Sequence, residues 1–295
     1  MTSAPAPPTP GLHATARIRA NRTDGTTVLP VLAGDGPFDL RRTRAHGDQA
    51  RVCIVGTMSA PLGGDRLRIE AIAEPGAHLH LTTAAATIAL RGPTTAHSTY
   101  DVHLTAAEHA SLHWLPQPLI SAARSNLRQS CTIDLAPTAR LHFREETVLG
   151  RAGEPPGRLT TRLTVHRDGR PLLDQHTRYG PGAPGWDGPA IAAGHRALGQ
   201  ILIVGPELDP PHARLFGDDP ATGQAVLTPL TGPALLITAL APDTLRLRHL
   251  LDLAQQIAEP LELLGTDRPT VPVTSRAAAS TSTPTRDISV SQSGM

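Results

Sequence analysis

Lysine is absent from the 295-residue sequence, and all 27 basic side chains are arginines. They balance 26 acidic side chains, which leaves a net charge of +1. Aromatic residues are scarce as well, with three Phe, two Tyr and two Trp. The sequence shows no clustered basic segment and few aromatic rings on which bases could stack. It therefore disfavours a nucleic-acid partner, and the charge balance disfavours an anionic membrane surface.

Cysteine is nearly absent, and the two cysteines are Cys53 and Cys131. They are too few for a disulfide framework or a structural zinc site. The sequence also lacks phosphate-binding, dinucleotide-binding, nucleophile-elbow and zinc-protease motifs. No apolar run approaches the ~18 residues that span a bilayer. Residues 1–19 lack the apolar core of a signal peptide. We therefore expect a cytoplasmic protein that has no membrane partner.

The two ends of the chain differ in composition from its middle. Residues 1–10 are rich in Pro, and residues 266–295 are rich in Ser and Thr. Neither segment has the apolar spacing of a packed element. We expect both to be disordered and residues 11–265 to form a single β-rich domain.

Short segments in which apolar and polar residues alternate fill the middle of the chain. Leu67, Ile69 and Ala71 alternate with charged residues, and the same pattern recurs around residues 79–81, 100–104, 131–135 and 139–143. Period-two alternation between turns is typical of half-buried β-strands. Asp168-Gly169 predicts a hairpin. No β-α-β alternation appears, so we expect an all-β fold.

One segment near the C-terminus has helical spacing instead. Leu247, Leu250, Leu251, Ala254 and Ile257 recur at intervals of three and four residues. Asp243 is a suitable N-cap, and Pro260 is a suitable stop. The spacing predicts an amphipathic helix over Thr244–Ala258 whose apolar stripe packs on the β core.

His78 and His80 form the best histidine pair for a metal site. Their spacing places both side chains on one face of a strand. Such a pair can hold a metal ion, or it can belong to the hydrated face of an antiparallel strand. The pattern favours the hydrated face.

Three acidic residues lie close to glycines and are the candidate site residues. They are Asp65, Glu145 and Glu154. Carboxylates beside glycines commonly stabilise turns. They could also line a polar passage for a divalent cation such as nickel, which accepts carboxylate and water oxygens. Spacing alone does not separate the two hypotheses.

Several short strings, in order, resemble the UreD family of urease accessory proteins. They extend over residues 29–173 and include GDGP at 34–37, GGDRL at 63–67, LTT at 81–83, AAT at 85–87, LHWLPQ at 112–117, LGR at 149–151 and GE at 153–154. The chain departs from the usual family pattern at Ala84, Ile88 and His113, where Gln, Lys and Glu are common. These departures affect a partner interface or a cation passage more than they affect the fold.

The resemblance implies an all-β, β-helical fold in two layers with a few helices, and a scaffold that is not an enzyme. It implies three protein partners: the urease structural subunits, UreF and, through UreF, the GTPase UreG. Nickel would pass in transit toward the urease site, and no cofactor would be tightly bound. Asp65, Glu145 and Glu154 match acidic positions that could line the nickel passage.

Two other functions remain open. A β-solenoid enzyme or carbohydrate-binding module would require paired carboxylates or an aromatic platform, and seven aromatic residues make the platform improbable. A non-catalytic interaction module that has lost urease binding would share the family's fold. Genes for urease subunits beside the gene for this chain would favour the urease accessory function.

Overall fold

The computed structural model describes residues 11–45 and 47–258. The predicted disorder of residues 1–10 and 266–295 falls outside these ranges. The strands are β1 (His13–Thr23), β2 (Thr26–Ala33), β3 (Phe38–Thr43), β4 (Ala50–Gly56), β5 (Arg66–Ala73), β6 (His78–Thr83), β7 (Thr87–Ala89), β8 (Ser98–Ala106), β9 (Ser111–Leu115), β10 (Leu119–Ser121), β11 (Asn126–Leu135), β12 (Arg140–Leu149), β13 (Arg158–Arg167), β14 (Arg170–Tyr179), β15 (Ala197–Val204), β16 (Arg214–Phe216), β17 (Gln224–Pro229) and β18 (Ala234–Ala241). A short 3₁₀ helix covers Pro220–Thr222, and helix α1 covers Thr244–Ala258.

The strands form two sheets that face each other. The first sheet has the order β14-β13-β11-β8-β5-β1-β2, and the second runs β16-β17-β18-β15-β12-β9-β6-β4-β3 with β7 and β10 attached. The chain alternates between the sheets, and successive strands within each sheet are parallel, as in β5-β8-β11 and β6-β9-β12. Antiparallel strands flank the parallel strands of both sheets. The predicted two-layer β-helical fold is confirmed.

The main core lies between the two sheets. It consists of the inward residues of the alternating segments, among them Ile69, Leu81, Leu104, Leu112, Ile133 and Phe143, all fully buried. Asp168 and Gly169 connect β13 to β14, both with positive φ, as the hairpin prediction requires. Burial of every second residue explains why the alternation is so regular in the sequence.

Helix α1 packs on the outer face of the second sheet. Its N-cap is Asp243, whose Oδ1 accepts a hydrogen bond of 2.8 Å from the backbone N–H of Arg246. Leu247, Leu250, Leu251 and Ala254 are buried in a second core over β15, β17 and β18. Ile257 is 41% exposed, so the expectation that it packs with them was wrong. None of the described helices is long and apolar enough to cross a membrane.

Polar contacts also hold one edge of α1. Glu146 is buried and accepts hydrogen bonds of 2.8 Å from both Arg144 and Arg248. Arg144 also donates to Asp252 of the helix. The buried carboxylate therefore has two cationic partners, which is the condition under which burial of a charge is tolerated.

Truncation of the helix's apolar stripe is expected to weaken the whole fold. Leu251 is fully buried, so Leu251→Ala should lower the free energy of unfolding by about 3 kcal/mol, since it removes buried methyl groups and leaves a cavity. Leu253 lies on the same helix but is 38% exposed, and Leu253→Ala should change stability by less than about 1 kcal/mol. Urea denaturation followed by circular dichroism measures both. Equal losses would show that α1 does not depend on its buried stripe.

Candidate functional site: a polar cavity between the sheets

A cavity of about 420 Å³ interrupts the apolar core between the two sheets. Polar residues that occupy inward positions on neighbouring strands line it. On the first sheet these are Gln129, Thr161 and Thr177, which are in register across β11, β13 and β14. On the second sheet they are Glu145, Gln200 and Thr238, in register across β12, β15 and β18. Two polar rows thus face each other across the cavity.

Glu145 connects the two polar rows. Its Oε1 accepts a hydrogen bond of 3.0 Å from the Gln129 side chain of the first sheet. Its Oε2 accepts one of 3.3 Å from the Gln200 side chain of the second sheet. Burial raises the pKa of the carboxyl group to about 7, although both amide hydrogen bonds act in the opposite direction. Near neutral pH the cavity therefore holds a carboxyl group poised between its two protonation states.

The surroundings of Glu145 are neutral. Burial raises the pKa of Tyr100, Cys131 and Tyr179, and the negative charge of Glu145 raises all three further. Within the described ranges, no basic side chain forms an ion pair with Glu145, and Arg162 at the cavity wall is paired with Asp174. A carboxylate without a counterion in such surroundings favours either a proton or a cation.

Asp65 lies in a turn rather than in the cavity. Its Oδ1 accepts a hydrogen bond of 2.8 Å from the backbone N–H of Leu12, and its Oδ2 accepts one of 2.7 Å from that of Leu62. The residue before it, Gly64, has φ of 101°, which glycine adopts readily. Asp65 therefore ties the segment before β1 to the turn before β5, and it is 5% exposed.

Glu154 stabilises the connection between β12 and β13. Its carboxylate accepts hydrogen bonds of 2.8 and 2.9 Å from the Arg151 guanidinium, and others from the backbone N–H groups of Arg151 and Ala123. These bonds, led by that from the Arg151 side chain, lower the pKa of Glu154 to about 2. The carboxylate is thus ionised and fully engaged in the turn.

The three predicted carboxylates do not form one cluster. Only Glu145 lines the cavity, and no three His, Cys, Asp or Glu side chains in residues 11–45 and 47–258 are arranged to hold a metal ion. Three residues of the cavity were not predicted from the sequence: Gln129, Gln200 and Thr161. Gln129 offered a signal, because it occupies an inward position of β11 where the alternation calls for an apolar residue.

Histidines form a separate column on the outer face of the second sheet. His80, His113 and His142 are in register on β6, β9 and β12, and the neighbouring ring centroids lie 5.5 Å apart. Burial lowers the pKa of His113 to about 4 and that of His142 to about 3. His78 lies on the same face, and its strand is parallel to both neighbours, not antiparallel as the sequence analysis had suggested.

Comparison with known proteins finds relatives along most of the chain. The family model described as "UreD urease accessory protein" matches residues 12–273. "Urease accessory protein UreD 2" of Saccharopolyspora erythraea is 65% identical over 85% of this chain and 89% of its own length. "Urease accessory protein UreD 3" of Streptomyces griseus subsp. griseus is 57% identical over 86% of this chain and 98% of its own. A similar protein of Streptomyces avermitilis, "Urease accessory protein UreD", is 58% identical over 82% and 96%.

Proposed function

The chain belongs to the UreD urease accessory protein family, and from this premise we propose that it is a non-catalytic scaffold for the maturation of urease. In this proposal it binds apo-urease through the urease structural subunits. It also binds UreF and, through UreF, the GTPase UreG. It acts in the cytoplasm. Membership of the family and the names of the relatives support a role in urease maturation.

The polar cavity is the observation that supports nickel transit. Nickel would be the cargo of this protein and not a resident cofactor. A cargo ion needs contacts that form and break readily, and a single carboxylate among amides and hydroxyls offers weaker binding than a closed cage of ligands. Glu145 is the one predicted site carboxylate that lines the cavity, so we assign it the contact with the passing ion.

Asp65 and Glu154 fit the passage less directly. Their carboxylate oxygens already accept backbone hydrogen bonds in turns, so a metal ion would have to compete with those bonds. Their assignment to the nickel passage stays a prediction. In our proposal these two residues mainly keep the ends of β5 and β12 in place.

Loss of urease binding is the alternative that the departures from the family pattern raise. Ala84 follows β6, Ile88 lies in β7, and His113 is the middle ring of the histidine column. All three belong to the second sheet or its edge. A chain that folds but no longer binds urease would differ from the proposed scaffold only in its partners.

Co-expression tests the proposal directly. The tagged chain is expressed with the urease subunits, UreF and UreG of the same source, and urease activity is assayed with nickel supplied. We expect a stable complex and activity that depends on the chain. Glu145→Gln should leave the complex intact and lower activation by about tenfold or more, the loss typical when the surroundings of a metal ion are altered.

A matched control distinguishes the effect of removing the cavity carboxylate from the effect of removing any negative charge. Glu70→Gln removes a half-buried carboxylate that pairs with Arg17 and Arg68 on the outer face of the first sheet, and it should leave activation unchanged. Full activation by the Glu145 variant would rule out its role in nickel transit. Absence of any complex, with urease equally active without the chain, would rule out the scaffold itself.

A further inference from the structure

Three arginines project from the outer face of the first sheet at one edge. Arg128 of β11 and Arg178 of β14 are both in register with Thr160 of β13, and Arg158 lies two residues before Thr160. All three side chains are exposed. We call Arg128, Arg158 and Arg178 the arginine patch. Its members are far apart in the sequence, because they come from three different strands.

The arginine patch carries positive charge that its surroundings do not neutralise. Among the described residues, none forms a hydrogen bond or ion pair with a side chain of the patch. Other arginines of the same sheet face are paired: Arg17 with Glu70, Arg19 with Glu74 and Arg162 with Asp174. The residues in register beside the patch are Thr99, Asn126 and Thr160, none of which is acidic. Each arginine of the patch is therefore available to an outside partner.

The positive charge of the arginine patch affects the pKa of a neighbouring histidine. His97 precedes β8, at the end of the sheet where the parallel strands β8, β11 and β13 begin. Burial is the first cause of its lowered pKa, and the charges of Arg128 and Arg66 lower it further. Arg66 itself donates to the backbone carbonyl of His97, which keeps this edge ordered.

The geometry of the patch suits an extended partner. Adjacent strands are about 4.8 Å apart, so Arg128 and Arg178 emerge roughly 10 Å from each other on a flat surface. Donors that start from positions so far apart favour several separate anionic groups over one small anion. Each guanidinium can instead form a two-pronged pair with a separate carboxylate, a geometry that lysine does not provide.

We propose that the arginine patch is a docking surface for an acidic, carboxylate-rich segment of a protein partner. This inference rests on the proposed function, because the partner would be one of the proteins that take part in urease maturation. A nucleic acid fits less well, since no aromatic side chain lies among the residues in register with the patch. The surface is distinct from the cavity, whose lining includes none of the three arginines.

A charge-neutral triple variant tests the patch. The tagged chain carrying R128Q/R158Q/R178Q is co-expressed with the urease subunits, UreF and UreG, and retention of each is measured as NaCl rises. The control is R17Q/R19Q/R22Q, which removes three arginines of β1 that have acidic partners within the chain. We expect the patch variant to bind one partner at least about 30-fold more weakly at low salt, and the control to change affinity by less than about threefold.

Salt dependence supplies the second readout. Between about 0.1 M and 1 M NaCl the Debye length falls from about 10 Å to about 3 Å, so the parent complex should lose most of its affinity while the patch variant changes little. Unchanged binding by the patch variant, or an equal loss in the control, would overturn the inference and leave the scaffold proposal standing. In a parallel assay with duplex DNA, a patch variant that loses DNA binding but keeps its protein partners would also overturn it. If no partner binds the parent chain, both proposals fail.

Discussion

Glu145→Gln is expected to raise the free energy of unfolding by roughly 3 kcal/mol at about pH 8. Burial raises the pKa of this carboxyl group from 4.5 to about 7 in the folded protein. Between these two values the folded state keeps a proton that the unfolded state has released, so stability falls as the pH rises. Glutamine is neutral and of similar shape, and it removes this penalty.

The pH dependence of the difference identifies its cause. Near pH 5 the carboxyl group is protonated in the folded protein and the penalty is small, so parent and variant should differ by less than about 1 kcal/mol. Urea denaturation at both pH values measures the difference. Glu70→Gln, which removes a half-buried, ion-paired carboxylate of the sheet's outer face, provides the control, with little change expected at either pH. A variant that is less stable than the parent at pH 8 would show that Glu145 contributes through its hydrogen bonds instead.

Such a result would bear on function as well as on stability. A glutamine at position 145 could still bridge Gln129 and Gln200 through amide hydrogen bonds, so the fold does not require a carboxylate there. An ionisable group kept at a site where it destabilises the native state is typical of functional sites. If the Glu145→Gln variant is more stable but activates urease less, the effect of Glu145 on stability is separate from its role in urease activation.

Local sequence patterns were sufficient for several elements of the fold, namely strands in the middle of the chain, the hairpin between β13 and β14, and helix α1. Burial on one face imposes period two on the strands, a hairpin requires positive φ at Asp168 and Gly169, and a helix that packs on one side repeats its apolar residues every three or four positions. Each of these features depends on neighbours in the chain. Ile257 shows the limit of such patterns. The apolar stripe in the sequence continues to the last turn of α1, but Ile257 in that turn is exposed.

The candidate site depends on contacts that no local pattern contains. Gln129 and Gln200 are far apart in the chain, and they meet Glu145 only because β11 lies opposite β12 while β15 pairs beside it. The arginine patch likewise draws its members from β11, β13 and β14. The even charge balance of the sequence concealed this patch, because a sum over all residues does not show which charges lie together in the fold.

Acid is expected to destabilise the protein through His113 and His142. Their pKa values fall from 6.5 to about 4 and about 3 in the folded state, mainly because the rings are buried. Nε2 of His142 is buried and has no hydrogen-bond partner within the described residues. Below pH 6.5 the unfolded chain binds protons that the folded chain does not, so stability is lost as the pH falls. Between about pH 7.5 and pH 5 the pair should cost roughly 4 kcal/mol.

Protonation of Glu145 opposes this loss of stability over the same pH range. The effect of the histidines must therefore be measured in the Glu145→Gln variant as well as in the parent. As the pH falls from about 7 to about 5, protonation of Glu145 should restore roughly 2 kcal/mol, so the parent protein should show a shallower decline than the histidines alone would cause. The Glu145→Gln variant removes the compensation and should show nearly the full histidine effect. Adding His113→Phe and His142→Phe to that variant should flatten its profile, because phenylalanine keeps a planar ring and binds no proton.

An exposed histidine supplies the control for this last prediction. His176 is exposed on β14 of the other sheet, away from the histidine column, so His176→Phe should leave the slope unchanged. Urea denaturation at intervals between about pH 5 and pH 8 measures all four proteins in a window above the titration of ordinary carboxylates. A Glu145→Gln profile as shallow as that of the parent would show that the histidine column is hydrated in the folded protein. A steep profile abolished by the two phenylalanines would establish that the carboxyl group of Glu145 and the imidazoles of His113 and His142 have opposing effects on stability as the pH falls.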